Sequence, residues 1–213
     1  MRTKFDEQLH MLNQEMMHMG SMIEEKIQKA IEALIGQNRS LAKKIMDGDC
    51  EVDREQKKIE NICFNLLMQQ QPVARDLRVI SAAMKMVTDM ERIGDHAADI
   101  SELTLLMAGK PYIREITDIE LMAKETTVMV TNSVDAYVNR DLDLARKVIQ
   151  MDDEVDELFN KVKSEIIGEI RTGGDDGEQT TDLLMAAKYF ERIGDHATNI
   201  AEWVIFSLTG EHV

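Results

Sequence analysis

Glu91-Arg-Ile-Gly-Asp-His-Ala97 occurs twice in this chain. The second copy, Glu191-Arg-Ile-Gly-Asp-His-Ala197, is identical and lies 100 positions further on. Upstream, the segment that begins at Leu41 matches the segment that begins at Leu144, at an offset of 103. A short insertion or deletion therefore separates the two matching blocks. These matches indicate a tandem duplication of about 100 residues per copy, with the joint near Gly109-Lys-Pro111.

The duplication divides the chain into two repeats, which we expect over residues 1–110 and 111–213. Only two prolines and 4% aromatic residues are present among 213 residues, a composition that favours helices over a β-sandwich. The predicted fold is all-α, with a tandem duplication forming two similar three-helix bundles and six long helices. A single fused six-helix bundle would have the same pattern.

Apolar residues recur at helical spacing in both repeats. The spacing predicts long helices separated in each repeat by one short helical segment. In the first repeat the predicted segments are 5–35, 40–46, 50–70 and 73–107, and in the second they are 119–138, 141–149, 153–171 and 179–208.

The charge balance limits the classes of partner. The chain has 25 basic and 40 acidic residues, a net charge of −15, which argues against a nucleic-acid backbone or an anionic lipid surface as the main partner. No secretion signal or membrane-spanning stretch is apparent, so we expect a cytoplasmic protein without direct membrane insertion. Cys50 and Cys63 lack the spacing of zinc ligands, and we expect reduced, mostly buried thiols.

Each repeat carries two pairs of acidic residues spaced one helical turn apart. At roughly 100° per residue, each pair falls beside the apolar stripe of its helix. We call the two sets the first and the second acidic patch. The first consists of Asp49, Asp53, Glu91 and Asp95, and the second of Asp152, Asp156, Glu191 and Asp195.

Like charges at this spacing destabilise a helix by about 0.2–0.5 kcal/mol per pair. Two such pairs on adjacent helices would supply four carboxylates to a hard cation such as Mg, Mn, Ca or ferric iron. The alternative is a solvated helix face, and Asp49 and Asp152 also suit the favourable N-terminal ends of helices.

Two further residue types stand inside the repeated block. His96 and His196 lie about 180° from the reference of the apolar stripe, so we do not expect them to bind metal in the same patch, and their position indicates either a contact with the metal ligands or a place in an interface. Gly94 and Gly194 lie on the apolar stripe, where glycine costs about 1 kcal/mol relative to alanine. We expect them to allow the close approach of another helix.

A rival metal motif lies in the first predicted helix. Glu7-x-x-His10 and Glu15-x-x-His18 have the spacing of di-iron carboxylate bundles. That chemistry needs the motif on two facing helices, whereas both motifs fall on one helix and have no copy in the second repeat. The sequence contains no Gly-rich phosphate loop and no nucleophile triad.

Together these motifs resemble the PhoU family of bacterial phosphate-signalling proteins. The doubled block, the segment Gln71-Pro-Val-Ala-Arg-Asp-Leu-Arg78 and the Asp-x-x-x-Asp pairs carry the resemblance over the full length. It implies two three-helix bundles, a homodimer, and multinuclear clusters of Fe, Mn or Mg held by the eight carboxylates of the two patches. The residue of the second repeat that aligns with Asp99 is Asn199, so the two clusters need not contain the same number of metal ions.

The resemblance also implies a role. PhoU-like proteins are expected to repress the phosphate-starvation response when phosphate is plentiful, through contacts with the ATPase of the phosphate ABC transporter and with a membrane sensor histidine kinase. Such a regulator of phosphate uptake is a non-enzymatic adaptor, cytoplasmic and peripheral to membrane complexes. A metal-dependent hydrolase or redox enzyme using the same carboxylates is the alternative class.

Overall fold

The computed structural model describes residues 2–69, 73–171 and 177–212 of the chain, and within these ranges the regular secondary structure is entirely helical. No helix in these ranges combines the length and the apolar character needed to cross a membrane. The helices of the described residues are α1 (Arg2–Ile35), α2 (Arg39–Asp47), α3 (Cys50–Gln69), α4 (Ala74–Met107), α5 (Thr117–Asn139), α6 (Leu142–Arg171) and α7 (Gly177–Thr209).

The helices follow the predicted order, with one difference in the second repeat. The predicted short segment 141–149 and the predicted helix 153–171 are one continuous helix, α6. In the first repeat the chain turns at Gly48 between α2 and α3, and the aligned residue in the second repeat is Met151. Methionine favours the helix interior far more than glycine does, so the second copy has no break at this point. The predicted end at residue 70 lies outside the described residues.

Each repeat forms a bundle of three long helices, so the predicted fold class is confirmed. In the first repeat α1, α3 and α4 pack together, with the short α2 beside α1 and α4. In the second repeat α5, α6 and α7 pack in the equivalent arrangement. The expected domain boundary between residues 110 and 111 stays a prediction.

The two bundles join through equivalent helices, because α4 packs on α7 and α1 packs on α5. Both pairs are antiparallel. Arg78, near the start of α4, lies against Gly210, just after the end of α7. Tyr112, just before α5, donates to the carbonyl of Leu34 at the end of α1, while Gly20 in the middle of α1 lies against Val134 near the end of α5. Pairing of equivalent helices in opposite directions relates the two repeats by an approximate two-fold axis.

The core is continuous across this joint. Buried apolar residues from both repeats form one connected cluster that includes Met16, Met90, Val130 and Phe190. Burying a side chain of this size contributes about 1.5–3 kcal/mol. The two bundles are therefore distinct in helix composition but share one hydrophobic core, which places the α3–α4 and α6–α7 surfaces in fixed positions.

Candidate metal centre

The first acidic patch lies where α3 packs on α4. Asp53 comes from α3, and Glu91 and Asp95 come from one face of α4. One carboxylate oxygen from each of these three residues lies within 4.8 Å of the other two. All three side chains are partly buried. Acidic residues from two helices therefore lie side by side here, as the sequence predicted.

Glycine allows the helices to approach at both patches, as the sequence predicted. A Cβ atom placed on Gly94 would lie 3.1 Å from Cγ1 of Val52 in α3. A Cβ atom on Gly194 would lie 3.2 Å from Oδ1 of Asp152 in α6. Both distances are shorter than ordinary contacts, so a side chain here would push the neighbouring helix or its carboxylate away.

The fourth residue of the first patch is engaged by a lysine. Lys26, a buried residue of α1, donates a hydrogen bond to Asp49 Oδ1. Arg92 lies beside the patch, with Nε 3.6 Å from Glu91 Oε2 and Nη1 3.5 Å from Asp95 Oδ2. Because Arg92 is largely exposed, it neutralises these carboxylates only weakly.

Burial and mutual repulsion affect the ionisation of the first patch. Burial, followed by the charge of Asp95, raises the pKa of Glu91. Burial, followed by the charge of Asp49, raises the pKa of Asp95. Both causes disfavour the charged carboxylates of the metal-free protein. A bound cation would reverse this effect, because it stabilises the charged forms.

The second acidic patch lies where α6 packs on α7. Asp152 and Glu191 are partly buried, whereas Asp156 and Asp195 are exposed. Lys188 pairs with Glu191 on the same helix. Within the described part of the chain, the second patch contains no three carboxylates as close together as those of the first. The two patches therefore share their residue types but differ in geometry.

Repulsion is nevertheless strong in the second patch. Burial, followed by the charges of Asp195, Asp156 and Glu191, raises the pKa of Asp152 to about 6. Desolvation, followed by the charge of Glu191, raises the pKa of Asp195. Asp152 on α6 is therefore repelled by the carboxylates of Asp195 and Glu191 on α7.

Both donor sets consist of oxygen atoms, which suits Mg, Mn or ferric iron and not a thiolate metal site. Asp53, Glu91 and Asp95 would hold such an ion in the first patch, whereas Asp49 is paired with Lys26. The space left by Gly194 lets Asp152 approach α7 in the second patch. Asp53, Glu91 and Asp95 of the first patch therefore fit a carboxylate-bound metal.

The two histidines of the repeated block lie at the α4–α7 interface, as predicted from their position on the helix. The His96 and His196 rings stack with their centroids 5.6 Å apart. His96 Nδ1 lies 3.2 Å from Asp99 Oδ2, and His196 Nδ1 lies 2.9 Å from Asp89 Oδ1. Asn199 Nδ2 donates to Asp89 at 3.2 Å, so Asn199 serves the interface between the repeats.

The remaining candidates lie elsewhere. Glu15 of the rival di-iron motif pairs with Lys58 of α3, and both Glu-x-x-His motifs lie on α1. Cys63 is buried as expected, but the expectation for Cys50 is wrong, because its side chain is exposed at the start of α3.

Sequence reasoning missed the two lysines that touch the patches. The contact of Lys188 with Glu191 could have been predicted, since the two residues are three positions apart and such residues are neighbours on a helix. The contact of Lys26 with Asp49 could not, because the two residues lie on different elements that are far apart in sequence.

The fold and the site define an all-helical duplicated bundle with a carboxylate patch on each half. The PhoU domain model matches residues 16–104 and again residues 119–204. The chain belongs to the PhoU family.

Similar proteins cover nearly the whole chain. A phosphate-specific transport system accessory protein PhoU homolog from Clostridium acetobutylicum is 39% identical, over 100% of this chain and 97% of that protein. One with the same description from Aquifex aeolicus is 35% identical, over 99% of this chain and 95% of that protein.

Solved structures agree with this assignment. The crystal structure of PhoU from Pseudomonas aeruginosa superposes with a TM-score of 0.94 at 29% identity, covering 97% of this chain and 100% of that one. The phosphate transport system regulatory protein PhoU from Streptococcus pneumoniae gives a TM-score of 0.92, also at 29% identity, covering 98% of this chain and 99% of that one.

Proposed function

We propose that this chain regulates phosphate uptake and represses the phosphate-starvation response when phosphate is plentiful. It acts as a non-enzymatic, metal-binding adaptor that contacts the ATPase of the phosphate ABC transporter and the membrane sensor histidine kinase. The observation that carries the proposal is the full-length similarity to proteins described as phosphate-specific transport system accessory proteins.

Charge supports the adaptor role. A net charge of −15 suits a basic protein surface as the partner and speeds the encounter with it. We propose a cytoplasmic homodimer, peripheral to the membrane complexes that it contacts.

The metal belongs to the same proposal. Asp49, Asp53, Glu91 and Asp95 hold one cluster, and Asp152, Asp156, Glu191 and Asp195 hold the other. A bound Fe, Mn or Mg ion supplies positive charge that cancels the repulsion among the carboxylates. The protein's own part is to keep α3 against α4, and α6 against α7, so that the oxygen atoms converge.

Complementation tests the regulatory role. A bacterium that lacks its own PhoU-family gene and carries a reporter for phosphate-starvation genes is supplied with this chain under high phosphate. We expect the reporter to be repressed. Continued expression of the reporter, in cells that contain the folded protein, would contradict the proposal.

Partner binding is tested by a pull-down of the transporter ATPase and of the sensor kinase with the wild type and with Asp95→Asn/Asp195→Asn. We expect the wild type to retain both and the double variant to retain less. Full retention by the folded double variant would show that the patches take no part in docking.

Metal binding is tested on protein purified without added metal. Elemental analysis and Mn²⁺ titration should show a lower stoichiometry for Asp95→Asn/Asp195→Asn than for the wild type, because Asp95→Asn removes one charged ligand from the first patch and Asp195→Asn removes one from the second. Exposed Asp153→Asn and Asp143→Asn together provide the matched control for the loss of two charges. Equal stoichiometry in the double variant and the wild type would sink the metal assignment.

A further inference from the structure

Lys188 has two partners in the second acidic patch. Its ammonium pairs with Glu191 one turn along α7, and Nζ lies 5.1 Å from the centroid of the Phe159 ring in α6. The Glu191 side chain is 12% exposed and the Lys188 side chain 36% exposed, so the carboxylate is shielded from water and the lysine is partly exposed. A cation–π contact and a partly shielded ion pair hold the lysine in this position.

The first repeat lacks this arrangement. At the offsets that align the repeats, Thr88 stands in place of Lys188 and Gln56 in place of Phe159. The Thr88 hydroxyl donates to the carbonyl of Met84 within its own helix. Glu91, the equivalent of Glu191, instead lies within 4.8 Å of Asp53 and Asp95 oxygens.

The lysine of the first patch comes from a different place. Lys26 extends from α1 and binds Asp49, not Glu91. The offset of 103 aligns Gln37 with Arg140, and both of these residues have a positive φ. At the same offset, buried Met129 is the equivalent of Lys26 in the second repeat. Each patch therefore has its own lysine, on a different helix and on a different carboxylate.

An ammonium group on a ligand carboxylate competes with a metal ion for the same oxygen atoms, and its charge repels the incoming cation. We propose that Lys188 is an internal counter-ion that lowers the affinity of the second patch for hard divalent or trivalent cations. In the first patch Lys26 pairs with Asp49 and leaves Glu91 grouped with Asp53 and Asp95, so the two halves of the molecule bind metal with unequal affinity. This inference rests on the proposed metal binding.

The test exchanges Lys188 of the second repeat and Thr88 of the first, each in a protein in which only one acidic patch is intact. The variant Asp53→Asn/Asp95→Asn disrupts the first patch and keeps the second, and Lys188→Thr is added to this variant. We expect Lys188→Thr to tighten Mn²⁺ binding on the order of tenfold, the scale on which neighbours of metal ligands act. Calorimetric titration with Mn²⁺ alone measures the affinity.

The reciprocal change is made in the first patch. The variant Asp156→Asn/Asp195→Asn disrupts the second patch and keeps the first. Thr88→Lys is added to this variant and places a lysine three residues before Glu91. We expect Mn²⁺ binding to weaken on the order of tenfold. Lys161→Thr is the control in both backgrounds, because it removes one charge from α6 at an exposed pair with Asp118, and the affinity should stay near that of its parent.

Three outcomes would overturn the inference. The first is unchanged Mn²⁺ affinity in Lys188→Thr, or in Lys188→Gln if the threonine variant does not fold. The second is tightening in Lys188→Arg, which keeps the positive charge. The third is no Mn²⁺ binding in either background or in the wild type, which also removes metal from the proposed function. The first two leave metal binding itself intact, so the two failures are distinguishable.

Discussion

At the scale of single residues, charge repulsion is concentrated on Asp152. This carboxylate has no lysine partner among the described ion pairs, and Asp195, Asp156 and Glu191 surround it. Its counterpart Asp49 differs, because Lys26 neutralises it. The same aspartate of the duplicated motif thus experiences two electrostatic environments, which the sequence motif does not distinguish.

The raised pKa of Asp152 predicts a pH dependence of stability. In the unfolded chain the carboxyl titrates near its usual value of about 3.9, whereas in the metal-free folded protein its pKa is about 6. The folded state therefore binds more protons between these values, and its stability falls as pH rises through this window. Asp152→Asn cannot ionise and should avoid this loss.

We expect Asp152→Asn to gain about 1 kcal/mol over the wild type between pH 4 and pH 7.5, a value reduced for solvent screening. Urea unfolding in the presence of a chelator measures the difference at both pH values. Asp143→Asn, at an exposed position near the start of α6, controls for the change in net charge. A gain that is the same at both pH values would disprove the assigned cause.

At the scale of the helices, the contact between α1 and α5 depends on glycine. A Cβ atom on Gly20 would lie 2.8 Å from Cγ1 of Val134, and valine has little rotational freedom on a helix. Gly20→Ala should therefore destabilise the protein by about 1 kcal/mol, since overpacking outweighs the gain in helix propensity. Chemical unfolding measures this change.

Two further variants complete this measurement. Val134→Ala should restore part of the lost stability when combined with Gly20→Ala, because the smaller side chain makes room for the new methyl group. Gly168→Ala is the matched control, because its Cβ atom would meet nothing within 4 Å; it should stabilise the protein by about 0.5–1 kcal/mol. Additive effects of Gly20→Ala and Val134→Ala would argue against a direct clash.

Helix pattern made most of the fold predictable. Apolar spacing located the long helices to within a few residues, and the phase of Glu91 and Asp95 on α4 placed them towards α3. The continuity of α6 was missed because apolar spacing near Met151 does not distinguish a helix break from its absence. The pairing of Lys26 with Asp49 was also out of reach, since it depends on how two helices pack.

At the scale of the whole molecule, metal should stabilise the folded state. Any ligand that binds only the folded protein stabilises it by about 2.7 kcal/mol at a concentration of 100 times its Kd. We expect Mn²⁺ to raise the unfolding temperature of the chelator-treated wild type, and to raise that of Asp95→Asn/Asp195→Asn much less. Thermal unfolding followed by circular dichroism measures both.

Ionic strength provides the control for this prediction. A chain with a net charge of −15 is also stabilised when salt screens its general repulsion. NaCl at matched ionic strength should act equally on the wild type and on the double variant. If Mn²⁺ raised both unfolding temperatures to the same extent, its effect would be general screening, not binding at the patches.

The approximate two-fold axis between the repeats has a consequence for how this molecule can change. In a symmetric homodimer each substitution is made twice, so a residue at the axis must tolerate its own copy. Here the two halves are one polypeptide, and a substitution alters one side alone. Asp89 faces His196, while Tyr189, at the matching position, stacks on His96. Because the two repeats belong to one chain, equivalent positions on the two sides of their interface can carry different residues, as they do in a heterodimer. Each half can therefore acquire its own contacts.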